Sequence, residues 1–227
     1  MQRLDKILSD AGVASRRELK EMIRKGRVLV DGIPARSPEE KLDETSVKLS
    51  VDGVPVRLNR TVLLMLHKPA GYVTSTDDPR DKTVMELIPG EYLRLDVKPI
   101  GRLDKDTEGL LLFTNDGALA HRLLSPKTKV YKTYFARHEG TTGPADVEAF
   151  AAGLTLRDGT VCLPAVLEPQ GEGASLVRIC EGKYHQIRRM LASRGCPVTY
   201  LKRLSEGEIQ LGDLPVGEVK EVDIPQI

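Results

Sequence analysis

The apolar residues of this 227-residue chain change their period near residue 60, and a chain with two such textures is expected to fold as two bodies. Before that point, Leu4, Ile7, Leu8 and Ala11 recur at i, i+3, i+4 and i+7, which is one face of a helix that Gly12 ends. Ser15 opens a second helix, and Glu18 three residues on completes a capping box. Leu19, Met22 and Ile23 form its apolar stripe, Gly26 stops it, and residues 28–30 read as a strand. Asp31-Gly32 and Asp52-Gly53 are hairpin turn signals, the second between apolar runs at 47–51 and 54–58. After residue 60, short apolar strands at 62–66, 110–114, 133–136, 175–180 and 219–224 alternate with turns. Helical patterns there are confined to 117–124, 144–152 and 184–194. The expectation is an α+β chain: a small αα-ββ module over 1–59, a join at about 59–61, and a domain over 60–227 with a mostly antiparallel sheet flanked by a few helices.

Composition narrows the function classes. Hydrophobic residues at 40% and charged residues at 30% fit a soluble globular protein and argue against disorder. The longest apolar runs fall far below the ~18 residues of a membrane span, and the stretch Met1 to Lys6 has no apolar signal core, so a cytoplasmic protein without membrane contact is expected. Cys162, Cys180 and Cys196 are too few and too scattered for a disulfide framework or a Cys-x-x-Cys knuckle. With no tryptophan and three phenylalanines, a large aromatic stacking surface is not expected. The net charge of +1 hides an uneven distribution. Residues 1–27 carry eight Lys/Arg against four acids, 117–138 five against none, and 178–203 seven against one, while 139–177 and 204–227 each come to −5. If folding gathers the basic islands, they form the footprint of a polyanion site. On the second helix Arg16, Arg17, Lys20, Arg24 and Arg27 avoid the apolar positions, which leaves its solvent side strongly basic.

The densest candidate for chemistry runs from Gly101 to Gly117 and sets Arg102, Asp104, Asp106, Thr107 and Glu108 just before the apolar run 110–113. A carboxylate in such a loop is held half-buried by the strand that follows, which suits it to nucleophilic or base work. Asp104, Asp106 and Glu108 alternate, but the full calcium-loop spacing is missing, so no metal is expected. The four histidines (67, 121, 138 and 185) stand apart from any Gly-x-Ser-x-Gly or reactive-cysteine context, which gives serine and cysteine hydrolase schemes no support.

Two resemblances follow. Arg-Leu-Asp-Lys near the start, Ser-Arg-Arg, and Ile-x-x-Gly-x-Val-x-Val-Asp-Gly resemble the S4 type of RNA-binding domain, which implies RNA binding and no chemistry. Gly-Arg-Leu-Asp-x-x-Thr-x-Gly-Leu-Leu-Leu-x-Thr-Asn-Asp-Gly resembles the active-site motif of ribosomal RNA pseudouridine synthases. Lys68-Pro69-x-Gly71-Tyr72-Val73-Thr74-Ser75, Lys132-Thr133-Tyr134 and Glu181 to Met190 resemble that family's other blocks in the expected order. The segments 75–79 and 164–168 and the pair Tyr184-His185 look most like the member acting on small-subunit 16S rRNA, at the uridine-516 type of site.

The resemblance implies an isomerase that needs no cofactor, acting on 16S rRNA or a small-subunit assembly intermediate. It implies Asp104 as the catalytic carboxylate, which can add to uracil, attack the ribose anomeric carbon or take a ribose proton; the residues do not choose among these. Arg188 is the implied partner that keeps Asp104 ionised, Tyr134 the ring that stacks on the target base, and Arg102 the side chain that fills the space of a flipped uridine. Lys183 and Arg189 join the basic helix face as RNA contacts. Asp106 and Asp116 read as turn and cap residues, Glu108 as a surface difference, and His185 equally as a packed histidine or a catalytic one. The same chemistry on 23S rRNA or tRNA, and a non-catalytic RNA-binding assembly factor, are the competing functions. A monomer is expected.

Overall fold

Burial of one stripe per helix accounts for the first body of the computed structural model, which describes residues 1–44, 46–56, 58, 61–125 and 128–225. After β1 (Gln2–Arg3), α1 (Leu4–Asp10) and α2 (Arg16–Arg24) turn Leu4, Ile7, Leu8, Leu19 and Ile23 inward to meet Val28, Ala35 and Leu49. The capping box at Ser15 forms as expected: the Glu18 N–H donates to Ser15 Oγ at 3.3 Å, and the Ser15 N–H donates to Glu18 Oε2 at 2.8 Å. The strands β2 (Val28–Val30), β3 (Ile33–Pro34), β5 (Leu49–Val51) and β6 (Val54–Pro55) make a four-stranded sheet in the order β3-β2-β5-β6, while β4 (Lys41–Leu42) pairs with β1.

Residues 88–97, with the short helix α3 (Gly90–Leu93), belong to this body as well, so one compact unit comprises 1–62 and 88–97 and the other 63–87 and 98–227. The linear reading had assigned 88–97 to the second domain. Gly12 shows how closely the excursion packs. Its φ is +76°, and a Cβ there would sit 3.2 Å from Leu95 Cδ2 and 3.3 Å from the Glu91 carbonyl oxygen, so both backbone conformation and space call for glycine. The expected join falls at Asn59 and Arg60, which lie outside the described residues.

The second unit is built on a nine-stranded sheet in the order β11-β12-β10-β13-β9-β7-β15, with β8 on β9 and β14 on β13. Its strands are β7 (Leu63–Lys68), β8 (Lys98–Ile100), β9 (Glu108–Thr114), β10 (Lys132–His138), β11 (Val166–Pro169), β12 (Ala174–Ile179), β13 (Val198–Glu206), β14 (Ile209–Gln210) and β15 (Val219–Glu221). Every pairing between these strands is antiparallel except β9 with β13, and an isolated parallel bridge joins Val73 to Thr83. The helix α4 (Gly117–Leu124), capped by Asp116, covers one sheet face: Leu119 and Leu123 pack with Leu63, Met65, Ile100, Leu110 and Leu112. The helices α5 (Pro144–Ala152) and α6 (Gln186–Ser193) bury Phe150, Ile187, Met190 and Leu191. At the parallel pairing, a Cβ on Gly109 would lie 2.2 Å from the Arg203 carbonyl oxygen, so β9 and β13 meet only because that position has no side chain. All three cysteines are free and buried, and no described helix is long and apolar enough to cross a membrane.

Candidate active site

The loop that carries Asp104 is shaped from below by a buried lysine. Lys68 ends β7 with its side chain wholly out of solvent, and the three N–H groups of Nζ are shared among the carbonyls of Pro69 (3.0 Å), Asp104 (3.1 Å), Lys105 (3.3 Å) and Thr107 (2.9 Å). Two further ties complete the clamp. Thr74 Oγ1 donates to the Leu103 carbonyl at 2.8 Å and accepts from the Leu103 N–H at 3.1 Å, while the Gly71 N–H donates to the Lys105 carbonyl at 2.7 Å. Burial pulls the Lys68 pKa from 10.5 down to about 8, and the negative charges of Asp106, Asp104 and Glu108 oppose that fall. Lys68 opens the block Lys68 to Ser75, in which nothing local marks it as buried. Its one visible signal is a charged residue closing an apolar strand.

With its backbone fixed, Asp104 presents a carboxylate that keeps 34% of its side chain exposed. The group facing it is His185, whose Nε2 lies 3.5 Å from Asp104 Oδ1. Arg188 was expected in that place. Its Nη2 instead pairs with Asp106 Oδ2 at 3.0 Å and lies 3.4 Å from Thr107 Oγ1. This is a correction to the expected ion pair, and a correction for Asp106, which is more than a turn residue. The tight turn in which the Thr107 N–H bonds the Asp104 carbonyl at 3.0 Å carries Asp106 out to where the guanidinium reaches it first.

His185 owes its position to a knot of hydrogen bonds around the buried Gln186. The Lys183 N–H donates to Gln186 Oε1 (2.9 Å), and Gln186 Nε2 donates to Glu181 Oε1 (2.7 Å), which also accepts from the Leu163 N–H (2.8 Å). The knot holds His185 in the left-handed region at φ 45°, ψ 37°, at the start of α6. A non-glycine residue there carries backbone strain on the order of 1–3 kcal/mol, the kind of outlier that clusters at functional sites.

Tyr134 lies beside this loop on β10 and is only 7% exposed. It stands opposite Arg203 in the β10–β13 register, with the guanidinium carbon 6.0 Å from its ring centroid. Burial pushes the Tyr134 phenol above its usual range; the Arg203 cation works against that shift, and the charges of Glu206 and Asp104 add to it. Beneath the ring sits a buried charge cluster that the sequence reading missed. Glu206 pairs with Lys132 at 3.6 Å and with Arg203 at 3.4 Å, and Arg203 Nε donates to the Leu110 carbonyl at 2.6 Å. Glu108, read as a surface difference, accepts from Tyr200 Oη at 2.7 Å.

The basic residues divide into two groups. Arg16, Arg17, Lys20 and Arg24 are exposed along α2, and Arg102 is exposed at the mouth of the Asp104 loop. Arg27 is exposed too, but its guanidinium is bound in a two-point pair with Asp52. Lys183 pairs with Glu181 at 3.0 Å, and Arg189 pairs with Asp158. Among the described residues, no group of three or more His, Cys, Asp or Glu side chains is placed to hold a metal ion.

Comparison with known proteins gives a consistent result. Residues 62–193 match the family model for RNA pseudouridylate synthases, and residues 2–47 match the S4 domain. A relative from Bacillus subtilis (strain 168), described as an uncharacterized RNA pseudouridine synthase, is 41% identical over 225 residues, spanning 97% of this chain and 94% of its own. The ribosomal small subunit pseudouridine synthase A of Vibrio cholerae is 39% identical over 220 residues, spanning 96% and 94%. A crystal structure of a pseudouridylate synthase superposes with a TM-score of 0.68 at 30% identity, covering 98% of this chain and 96% of that one.

Proposed function

Since the chain belongs to the RNA pseudouridylate synthase family and is an isomerase of uridine in RNA, we propose that its substrate is the 16S rRNA of the small ribosomal subunit, at the uridine-516 type of site, with Asp104 as the reacting carboxylate. The reaction breaks the bond from N1 of uracil to C1′ of ribose and forms one from C5 to C1′. The C5 hydrogen leaves as a proton and N1 regains one, so atoms and charge balance without an oxidant.

The observation that carries the reading is a carboxylate left open to solvent on a backbone fixed by the four-carbonyl clamp of Lys68, beside the buried tyrosine. Fixed backbone with a free functional group is what a step at one sugar carbon requires, since misplacement of about 1 Å can cost on the order of 10²-fold in rate. His185 faces that carboxylate. Tyr134 offers a ring that the buried Arg203 holds in place, and its phenol, raised by burial, stays protonated near neutral pH. It therefore serves as a stacking face and a hydroxyl donor, and it handles the C5 proton only by giving up its own in exchange. Arg188 keeps a cation at the site by bracing the loop through Asp106 and Thr107.

The target base leaves its stack to reach Asp104, at a cost of a few kcal/mol that is lowest in single-stranded RNA. Arg102, exposed beside the loop, is suited to fill the space it vacates. The exposed cations of α2 supply phosphate contacts, and Lys183 and Arg189 contribute where phosphate displaces their carboxylate partners.

The test is release of tritium from transcripts labelled at carbon 5 of uridine, using 16S rRNA, 23S rRNA and tRNA side by side, free and as small-subunit assembly intermediates. Release confined to 16S rRNA, and lost in Asp104→Asn with RNA affinity within a few-fold, is the expected result. Release from 23S rRNA or tRNA alone refutes the substrate assignment. Residual activity above about one per cent in Asp104→Asn moves the chemistry to another residue. Carbodiimide-stop mapping of rRNA from a deletion strain then locates the uridine.

A further inference from the structure

We propose that Tyr184 forms a stacking subsite for an unpaired nucleobase flanking the uridine that reacts at Asp104; this rests on the RNA-modifying activity above and adds a contact to it. Tyr184 is 75% exposed, unusually open for a side chain of its size next to a catalytic loop. It is also held still. Its ring lies on the His185 ring with centroids 3.9 Å apart and planes 16° from parallel. One face of the tyrosine is therefore backed, and its exposure leaves the other open. The backing ring is fixed by the Gln186 knot and the left-handed backbone of His185, while Arg189 Nη1 donates to the Tyr184 carbonyl at 3.3 Å.

The location tells what would settle there. The edge of His185 lies 3.5 Å from Asp104 Oδ1, so a ligand on the outer face of Tyr184 rests two ring layers from the reacting carboxylate. Lys183, Arg188 and Arg189 lie next to this ring in the chain; each is paired with a carboxylate (Glu181, Asp106 and Asp158), so they meet RNA phosphate by exchanging those partners. An RNA strand whose uridine has turned into the site has a neighbour with an unstacked π-face, and a preordered aromatic ring is the usual receptor for one. This ring is distinct from Tyr134, which is buried. The backed pair costs little conformational entropy on binding, because the tyrosine is already ordered.

Two measurements test the site. The first is the KM and the single-turnover rate at saturating RNA in the tritium assay; the second is the Kd for a uridine dodecamer by filter binding, both against salt. Stacking on one aromatic ring is worth about 1–3 kcal/mol, so Tyr184→Ala should raise both KM and Kd by about 5- to 150-fold. The single-turnover rate should stay within about threefold and the salt slope should not change, because a stack releases no counterions. Tyr184→Phe keeps the ring and should restore both constants to within about twofold. An exposed side chain contributes little to folding, so thermal melting should be the same for all three proteins. Unchanged KM and Kd in Tyr184→Ala, or a Phe variant as impaired as the Ala variant, overturns the proposal. If the wild-type protein isomerises no RNA, the activity reading fails on its own, and the dodecamer Kd still decides the role of Tyr184.

Discussion

Replacing Lys68 with methionine removes the clamp beneath Asp104 while preserving the volume and apolar stem of the side chain. Four carbonyls lose a donor. Those of Asp104 and Lys105 keep the N–H groups of Thr107 and Gly71, so the carbonyls of Pro69 and Thr107 bear the main loss. An unsatisfied buried polar group costs about 1–3 kcal/mol, which makes about 2–6 kcal/mol for the two. Methionine also relieves the desolvation that brings the Lys68 pKa from 10.5 to about 8, a gain of about 3 kcal/mol at pH 7. The two effects nearly offset, and the net change at pH 7 should lie between a gain of about 1 and a loss of about 3 kcal/mol. Activity has no such compensation: a loosened loop should lower kcat/KM by on the order of 10²-fold. The sign of the pH dependence separates the clamp from ordinary packing. Because the folded pKa lies below the unfolded one, the unfolded chain holds a proton that the folded chain has lost between about pH 8 and 10.5, so wild-type stability rises through that window. The variant lacks this rise. Urea unfolding at pH 7.5 and 9.5 should therefore show the gap between wild type and Lys68→Met widening by about 2 kcal/mol. A gap that stays flat, or a kcat/KM within threefold of wild type, refutes the reasoning.

Arg188→Met should cost at most about 1 kcal/mol in urea unfolding, because Asp106, its partner, is 70% exposed, and exposed pairs contribute little; a fall in the single-turnover rate at saturating RNA is expected, and a fall in salt-dependent affinity alone would make Arg188 a phosphate contact only. Gly109→Ala places a methyl group against the Arg203 backbone at φ +107°, so thermal melting should show a loss of about 2–4 kcal/mol or failure to fold. Changing Arg16, Arg17, Lys20 and Arg24 together to glutamine should flatten the slope of log affinity for 16S rRNA against log salt by roughly two to four, with tritium release intact at high enzyme; an unchanged slope would make that helix face plain solvated surface.

Much of the architecture was legible because it is local. The limits read for α4 and α5 coincide with the structure, since the Asp116 cap and the Gly143-Pro144 start are written in adjacent residues. The capping box at Ser15 and the turns at Asp31-Gly32 and Asp52-Gly53 were legible for the same reason. The strands read at 62–66, 110–114 and 133–136 are longer in the structure, while those read at 47–51, 54–58 and 219–224 are shorter. Lys68, Glu108 and Lys132 look like polar punctuation in a window of ten residues, yet each extends a strand and finds its partners across the sheet. The buried Lys132–Glu206–Arg203 cluster left no local trace, because charges are read as exposed until a distant strand supplies a counter-charge.

By itself, the sequence determined the periods, the caps, the uneven sorting of charge and the motif that carries Asp104, all properties of residues near one another in the chain. Only the tertiary structure decided which nitrogen side chain meets which carboxylate. Among Asp104, Asp106, His185 and Arg188, the fold sets His185 against Asp104 and Arg188 against Asp106. The same holds for residues 88–97, which belong to the first unit, with Leu95 beside Gly12, although the residues on both sides of them belong to the second. Hydrophobic burial has no direction along the chain, so the pattern shows that a residue is buried but not against what.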